Sequence, residues 1–294
     1  MPRPALRRGW NESTRVSVSS RRTGDHVLTM RGIDKRFGAV RALSGVDFRV
    51  REGEVVALVG DNGAGKSTLV KVLAGVHPAD AGTIELDGDV VQLSTPADAQ
   101  DLGIATVFQD LALCENLDVV ANLWLGRELL ERGRLDEVGM EERTWMLLRE
   151  LAAKIPSVRV PVSTLSGGQR QTVAIARSLI GEPRIVILDE PTAALGVAQT
   201  AEVLNLIERL RDRGHGVVLI SHNLTDVLAV ADRIVVLRLG RNNGEFDAEE
   251  ATSEVLIAAI TGALDVARPA PLPDEPRAPV IPLSGARRRT DGDR

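Results

Sequence analysis

A short apolar run followed by a glycine-rich loop and a helical pattern constrains this chain most strongly. The segment "EVVALV" ends at Val59, and "GDNGAGKST" follows directly as residues 60–68. The glycines allow the backbone to wrap closely around phosphate, while successive N–H groups and the start of the next helix stabilise anionic oxygens. The spacing G-x-x-x-x-G-K-[ST] therefore predicts a loop that binds a nucleoside triphosphate within a strand–loop–helix unit.

Two side chains of this loop have distinct expected roles. We expect Lys66 to reach the β- and γ-phosphates and the Ser67 hydroxyl to ligate Mg²⁺. A chance glycine-rich turn is the alternative, and the flanking strand and helix patterns argue against it. The predicted nucleotide-binding residues of the loop are Gly60, Asp61, Asn62, Gly63, Ala64, Gly65, Lys66, Ser67 and Thr68.

A second apolar run, "RIVIL", ends in two adjacent carboxylates, Asp189 and Glu190. Acidic groups at the end of a buried strand are costly unless a positive group lies beside them. In a protein with a phosphate-binding loop, we expect Asp189 to hold the Mg²⁺ coordination shell and Glu190 to polarise an attacking water. A solvent-facing acidic turn is the alternative to this catalytic interpretation.

Short apolar runs alternate with helical patterns along the body of the chain. The runs "VVALV", "IVIL", "VVLI" and "IVVL" each have the length of a buried strand. Between "IVIL" and "VVLI", Val203, Ile207 and Leu210 recur at the i, i+4, i+7 spacing of a helix. This alternation predicts an α/β domain with a parallel sheet. Residues from about 111 to 181 are instead helical in pattern and poor in strands, which predicts a helical insert.

The two ends of the chain differ from its body. Residues 1–26 are basic, polar and aperiodic, and residues 264–294 are rich in proline, so we expect a disordered leader and a disordered tail. The folded domain is expected at 27–263. No apolar run approaches the roughly 18 residues of a membrane span, and the leader lacks the apolar region of a secretory signal. We therefore expect a cytoplasmic protein.

Composition argues against several classes of protein. The single cysteine, Cys114, excludes an internal disulfide and a cysteine-built zinc site. A net charge of -5 and an aromatic content of 2% argue against a nucleic-acid partner, because neither overall attraction nor base-stacking platforms are indicated. The basic leader and the arginines at 287–289 leave contact with nucleic acid or anionic lipid open as an alternative.

A third motif, "LSGGQ", lies between the glycine-rich loop and the acid pair at residues 165–169. A Ser-Gly-Gly turn at the start of a helix is a second site for an anion. With this motif in that place, the sequence resembles the ATPase subunits of ATP-binding cassette (ABC) transporters over residues 27–263. The resemblance implies an α/β P-loop NTPase fold of the ABC type, with a RecA-like core, an antiparallel β subdomain and a helical subdomain at about 111–181.

The resemblance implies further site residues. An aromatic residue that stacks on adenine matches Phe37, a glutamine that contacts Mg²⁺ and relays to the membrane partner matches Gln109, and a histidine at the γ-phosphate matches His222. The implied catalytic residues are Glu190, His222 and Gln109, and the implied Mg²⁺ ligands are Ser67, Gln109 and Asp189. The signature residues, which would cover the nucleotide of a second cassette, are Leu165, Ser166, Gly167, Gly168 and Gln169. We interpret the other histidines as structural or surface residues: His26, His77 and His215.

The resemblance also implies partners and a task. ATP and Mg²⁺ are the implied cofactors, and the implied partners are a second cassette in a homodimer, separate transmembrane permease subunits and, indirectly, a periplasmic or extracellular sugar-binding protein, with no nucleic acid. The protein would lie on the inner face of the cell membrane. The segments "PTAALGVAQT" and "CENLDVVANLWLGRE" resemble those of monosaccharide importers, and most relatives carry an aspartate where Gly196 stands.

Several alternatives stay open at this point. They are a non-transport ABC ATPase, a cassette for another solute, a split exporter, and a nucleotide-binding regulatory module without catalysis. The full set of catalytic residues argues against the last of these. Which solute is carried, whether the dimer pairs two copies of this chain, and what Gly196 does to the dimer contact are not encoded in these motifs.

Overall fold

The structure is a computed structural model that describes residues 26–264. The predicted leader and tail lie outside the described residues, apart from His26 and Leu264 at their inner ends. The strands are β1 (His26–Phe37), β2 (Val40–Arg51), β3 (Val55–Val59), β4 (Ala81–Leu86), β5 (Asp89–Val91), β6 (Ile104–Val107), β7 (Leu130–Glu131), β8 (Arg134–Leu135), β9 (Ile185–Asp189), β10 (Gly216–Ile220), β11 (Arg233–Arg238) and β12 (Arg241–Asp247). The helices are α1 (Lys66–Leu73), α2 (Pro96–Asp101), α3 (Val119–Trp124), α4 (Glu137–Glu150), α5 (Gly167–Leu179), α6 (Val197–Asp212), α7 (Leu224–Val230) and α8 (Ser253–Thr261), with a 3-10 turn at Val162–Thr164.

A six-stranded sheet forms the centre of the molecule, in the order β12-β11-β3-β10-β9-β6. Strands β11, β3, β10, β9 and β6 run parallel, and β12 is antiparallel to β11. The four apolar runs that the sequence predicts as strands are β3, β9, β10 and β11, and almost all of their residues are buried. The predicted parallel α/β sheet is therefore confirmed.

Helices cover both faces of this sheet, which explains the continuous apolar runs. On β9, Val186 and Leu188 pack into the cluster that includes α5 and α6, whereas Ile185 and Ile187 pack into the cluster that includes α1. The alternation follows from the two-residue period of a strand, since successive side chains point to opposite faces. The predicted apolar stripe of α6 is fully buried in the first of these clusters: Val203, Ile207 and Leu210.

A second, antiparallel sheet has the order β2-β1-β4-β5. Buried and half-exposed residues alternate along β2, where Val46, Phe48 and Val50 are buried. These side chains belong to the same apolar cluster as Leu69 and Leu73 of α1. The antiparallel sheet is thereby fixed to the first helix after the glycine-rich loop.

The part of the chain between β6 and β9 is mainly helical, with α3, α4 and α5 and one short hairpin, β7–β8. The indole of Trp124 is buried there and donates hydrogen bonds to the Met140 carbonyl at 3.1 Å and to Thr144 Oγ1 at 3.0 Å. A buried indole N–H needs such a partner, so these bonds join α3 to α4. None of the helices within residues 26–264 is both long and apolar enough to cross a membrane.

Candidate active site

The carboxyl ends of four parallel strands lie side by side and carry most of the predicted site. β3 leads into the glycine-rich loop, β9 ends at Asp189, β10 leads to His222, and β6 leads to Gln109. The strands are neighbours in the order β3-β10-β9-β6, with Ile220 of β10 level with Asp189 of β9. Parallel strands present their carboxyl ends at one edge of a sheet, where ligands of such folds bind. Four separate sequence motifs therefore meet at one edge.

The glycine-rich loop is closely packed against strands β11 and β2. A Cβ at Gly60 would lie 2.3 Å from the Leu237 carbonyl oxygen, and one at Gly65 would lie 2.9 Å from the Ala42 carbonyl oxygen. Both residues also have a positive φ, 154° and 106°, which other residue types rarely adopt. Glycine is needed at both positions because of the backbone angle and the lack of space.

Lys66 folds back across this loop. Its Nζ donates to the Gly60 carbonyl at 2.7 Å and to the Asp61 carbonyl at 3.0 Å. Burial lowers the pKa of Lys66, and the charges of Glu190 and Asp61 oppose that shift. Hydrogen bonds to these two backbone carbonyls thus hold the ammonium inside the curve of the loop.

A cavity of about 500 Å³ surrounds the loop. Besides loop residues 62–68, its walls come from two hairpins: Val40, Arg41, Ala42, Leu239 and Gly240. The sequence analysis did not identify these five residues. A signal exists for the first three, since they follow Phe37 closely in the chain, but nothing in the sequence connects positions 239 and 240 to the loop.

The acid pair lies in two different environments. Burial raises the pKa of Asp189, and the neighbouring charge of Glu190 raises it further, whereas Lys66 lowers it. The Glu190 side chain is 16% exposed, and its Oε2 lies 2.7 Å from Nδ1 of His222, whose side chain is 74% exposed. The structure brings the predicted base and the predicted γ-phosphate histidine into direct contact.

Glu190 has an unusual backbone conformation, with a φ of 52°. A residue other than glycine in the left-handed region is held there by its surroundings at some energetic cost. Here the Glu190 N–H donates to the Ile220 carbonyl at 2.9 Å, and the Glu190 carbonyl accepts from the Ala193 N–H at 3.1 Å. These bonds fix the carboxylate at the junction of β9 and β10.

The signature residues form the start of α5 and do not line the cavity around the loop. Ser166 caps the helix: its Oγ accepts from the Gln169 N–H at 3.3 Å, and Gln169 Oε1 accepts from the Ser166 N–H at 2.9 Å. Leu165 is buried beneath this turn. A Cβ at Gly168 would lie 3.0 Å from the Gln199 Cβ, so this glycine permits close packing against α6.

Phe37 and Gly196 lie apart from the strand edge. Phe37 is 45% exposed at the end of β1 and makes an edge contact with His77, with ring centroids 5.1 Å apart. Gly196 precedes α6 with φ −76° and ψ 163°, and a Cβ there would meet no atom within 4 Å. An aspartate would therefore fit at position 196, so the glycine is not required by space or by backbone angle.

Comparisons with known proteins show the family of this chain. Residues 43–193 match the family model described as "ABC transporter". The chain is 43% identical over 235 residues to the xylose/arabinose import ATP-binding protein XylG of Sulfolobus acidocaldarius, covering 80% of this chain and 94% of that protein. It is 44% identical over 252 residues to the fructose import ATP-binding protein FrcA of Rhizobium meliloti, covering 83% and 97%.

A solved structure of similar fold is a dimeric ATP-binding cassette in a post-hydrolysis state bound to ADP and Pi. It is 25% identical to this chain with a TM-score of 0.64, and the match covers 75% of this chain and 98% of that one. The chain belongs to the ABC transporter family. It is an ATP-binding cassette with the P-loop NTPase fold, and its activity is the hydrolysis of ATP.

Proposed function

We propose that this chain hydrolyses ATP with Mg²⁺ to power the import of a monosaccharide through a separate membrane permease. The contact between His222 Nδ1 and Glu190 Oε2, at 2.7 Å on the strand edge beside the glycine-rich loop, carries the catalytic part of the proposal. The transport part is supported by the relatives at 43% and 44% identity, whose names describe the import of xylose or arabinose and of fructose.

ATP would lie in the cavity around the glycine-rich loop. The N–H groups of residues 60–68 and the start of α1 would bind the β- and γ-phosphates, and Lys66 would exchange its bonds to the Gly60 and Asp61 carbonyls for bonds to phosphate oxygens. The adenine would stack on the exposed ring of Phe37. Val40 and Arg41, which line the cavity, would lie between these two ends of the nucleotide.

The available side chains fit Mg²⁺. The Ser67 hydroxyl, the Gln109 amide oxygen and the Asp189 carboxylate are hard oxygen ligands of the kind that Mg²⁺ accepts together with phosphate oxygens. Burial and the charge of Glu190 raise the pKa of Asp189, so a cation beside this carboxylate would favour its ionised form. When bound, Mg²⁺ neutralises the charge that develops on the transferred phosphoryl group.

Glu190 would act as the base for the attacking water. Its carboxylate accepts the proton as the water oxygen bonds to the γ-phosphorus, and the bond to the β-phosphate oxygen breaks to give ADP and inorganic phosphate. His222 contacts this carboxylate at Oε2, and its exposed ring would bind the γ-phosphate. Lys66 would stabilise negative charge on the phosphate oxygens.

A second copy of the chain would complete the site. Residues 165–169 do not line the cavity of their own chain, so their helix start is available to the phosphates held by another copy. The dimeric cassette of similar fold supports this arrangement. The Gln109 region would transmit closure to the permease on the inner face of the cell membrane, and a sugar-binding protein outside would supply the solute.

The purified chain tests the enzymatic part directly. We expect release of phosphate from ATP only when Mg²⁺ is present, and loss of that activity in Glu190→Gln while ATP still binds. For the transport part, uptake of radiolabelled xylose, arabinose, fructose and ribose would be compared in source cells with and without the chain. Loss of uptake for one sugar, restored by the native chain and not by Glu190→Gln, is expected. Unchanged uptake of all four would contradict monosaccharide import.

A further inference from the structure

The stretch between Gln109 and α3, residues 110–118, has no regular secondary structure, and we call it the 110–118 segment. Its own internal bonds are few: the Ala112 N–H donates to Asp110 Oδ1 at 3.1 Å, and the Leu117 N–H donates to the Cys114 carbonyl at 3.1 Å. Backbone groups in a partly buried loop need partners elsewhere. The N–H groups of Val162 and Ser163 donate to the Leu117 and Glu115 carbonyls, both at 3.0 Å, and two side chains from neighbouring helices provide further partners.

Asn122 of α3 is the first of these side chains, and it is completely buried. Its Oδ1 accepts from the Cys114 N–H at 2.7 Å. Its Nδ2 lies within hydrogen-bond distance of three carbonyls, those of Cys114 at 2.9 Å, Leu117 at 3.2 Å and Asp118 at 3.0 Å. Both ends of the amide are therefore used on the second half of the 110–118 segment.

Arg177 of α5 is the second side chain, and it holds the first half of the segment. Its Nη1 donates to the Ala112 carbonyl and its Nη2 to the Leu111 carbonyl, both at 2.7 Å. Ala112 has a φ of 48°, in the left-handed region, which a residue with a side chain adopts only when its surroundings hold it there. The two bonds place the guanidinium across this bend.

Arg177 is a partly buried charge, and its two hydrogen bonds to the segment compensate for that burial. Burial lowers the pKa of Arg177, and no carboxylate among residues 26–264 lies within salt-bridge distance of it. Taking a charge partly out of water is costly unless hydrogen bonds compensate, and the two carbonyls provide that compensation. An arginine kept only for packing or for a surface ion pair would not need this arrangement.

The two side chains connect the two motifs that must act together. Arg177 belongs to the helix that begins directly after Ser166, and the 110–118 segment begins directly after Gln109. We propose that Asn122 and Arg177 are positioning residues of the ATPase that fix the 110–118 segment to α3 and α5, so that Gln109 and the signature turn move together. This inference rests on the roles of Gln109 and Ser166 in the proposed function.

Cys114 supplies a built-in probe, because it is the single cysteine of the chain and is half-buried within the 110–118 segment. Its rate of alkylation by N-ethylmaleimide, followed by intact mass, would be compared between the native chain, Arg177→Met and Asn122→Leu. We expect about tenfold faster alkylation in Arg177→Met, because one bond from a charged donor contributes at least that factor.

Two further variants complete the comparison. Arg177→Lys keeps a charged donor that can reach one carbonyl, so its alkylation rate should lie between those of the native chain and Arg177→Met. Arg213→Met is the matched control: this exposed guanidinium donates to the Glu150 side chain at 2.5 Å and not to the 110–118 segment, so the rate should stay at the native value. Should Arg177→Met fail to fold, the Arg177→Lys and Asn122→Leu rates decide, and native values in both would overturn the proposal.

A kinetic measurement separates positioning from a purely structural role. We expect Arg177→Met and Asn122→Leu to lower kcat and to raise several-fold the Mg²⁺ concentration for half-maximal hydrolysis, while ATP affinity without Mg²⁺ stays native. Faster alkylation with native kcat and native Mg²⁺ dependence would overturn the positioning role. A native chain that binds ATP but never hydrolyses it would instead overturn the proposed function itself, whatever the alkylation rates.

Discussion

The strand edge and the signature turn are both expected to bind phosphate, but only at the strand edge does one chain bring several site residues together. At the strand edge, four strand ends of one chain bring together the loop, the acid pair and His222, and Glu190 already contacts His222 at 2.7 Å. At the signature turn, Ser166 and Gln169 bond to each other, and the turn faces no part of the cavity in its own chain.

This difference shows which part of the site a single chain can supply. The strand edge is fixed by a buried parallel sheet, so its residues are positioned before any ligand arrives. The signature turn is the start of a helix, whose first N–H groups have no partner from the preceding turn of the helix, and it does not line the cavity of its own chain. We therefore expect the chemistry to reside at the strand edge and the activity to depend on a signature turn from another copy.

Replacement of the proposed base should have the largest effect. We expect Glu190→Gln to lower kcat by a factor of about 10² to 10⁴, the usual contribution of a general base, while ATP affinity is retained. Phosphate release and nucleotide binding would be measured on the same preparations. Glu202→Gln is the control, because Glu202 forms an exposed pair with Lys154 and should leave kcat unchanged. Native turnover in Glu190→Gln would remove Glu190 as the base.

Loss of the loop lysine should weaken binding rather than chemistry alone. Lys66→Ala removes an ammonium that would bond to phosphate, and a bond to a charged group contributes about 1.5–3 kcal/mol, so ATP affinity should fall about 10- to 150-fold. Titration with a fluorescent ATP analogue would measure it. Lys71→Ala, on the exposed side of the same helix, should bind normally. If Lys66→Ala also binds normally, the cavity around the loop is not the nucleotide site.

A mixing experiment tests whether the two regions act across copies. Ser166→Arg should leave ATP affinity unchanged but abolish hydrolysis, because it blocks the signature turn and leaves the strand edge intact. Mixing inactive Ser166→Arg with inactive Lys66→Ala should restore part of the activity. Each mixed dimer would then contain one native loop covered by one native signature turn. No recovery in mixtures shown to form mixed dimers would place both motifs in the same site of one chain.

The sequence predicts the strand edge much better than it predicts the rest of the site. β3, β9, β10 and β11 are continuous apolar runs because helices cover both faces of their sheet, and the motif residues follow them at fixed spacing. Residues brought in by distant hairpins, such as Leu239 and Gly240, carry no such pattern. His77, interpreted as a structural or surface residue, contacts the ring of Phe37 only because β1 and the turn after α1 meet.

Sequence patterns also fail to predict the polar contacts in the helical part of the chain. Asn122 is the one polar residue of the short helix α3, whereas Arg177 is one of several polar residues of α5, and spacing alone does not distinguish either of them from a solvent-facing position. Their partners are backbone groups of a segment without regular structure, and such bonds depend on the packing of α3 and α5 and not on a motif.

The smallest expected effect concerns Gly196, at the start of the helix that packs against the signature turn. Gly196 caps α6, which packs against the signature glycine Gly168 through Gln199. Because a side chain fits at 196 and the backbone is extended, Gly196→Asp should raise the free energy of unfolding by a few tenths of a kcal/mol, and Gly196→Ala should lower it. Urea denaturation of the three proteins would measure the order. A lower stability for the aspartate would show that α6 does not begin at this cap.

The most direct test measures the molecular mass of the Glu190→Gln protein in solution with and without ATP and Mg²⁺. This variant should bind ATP without consuming it, so the closed state would accumulate. We expect an ATP-dependent change from monomer to dimer that is absent with ADP and absent when Ser166→Arg is added to the same chain. A protein that binds ATP and remains a monomer would contradict completion of the site by a second copy.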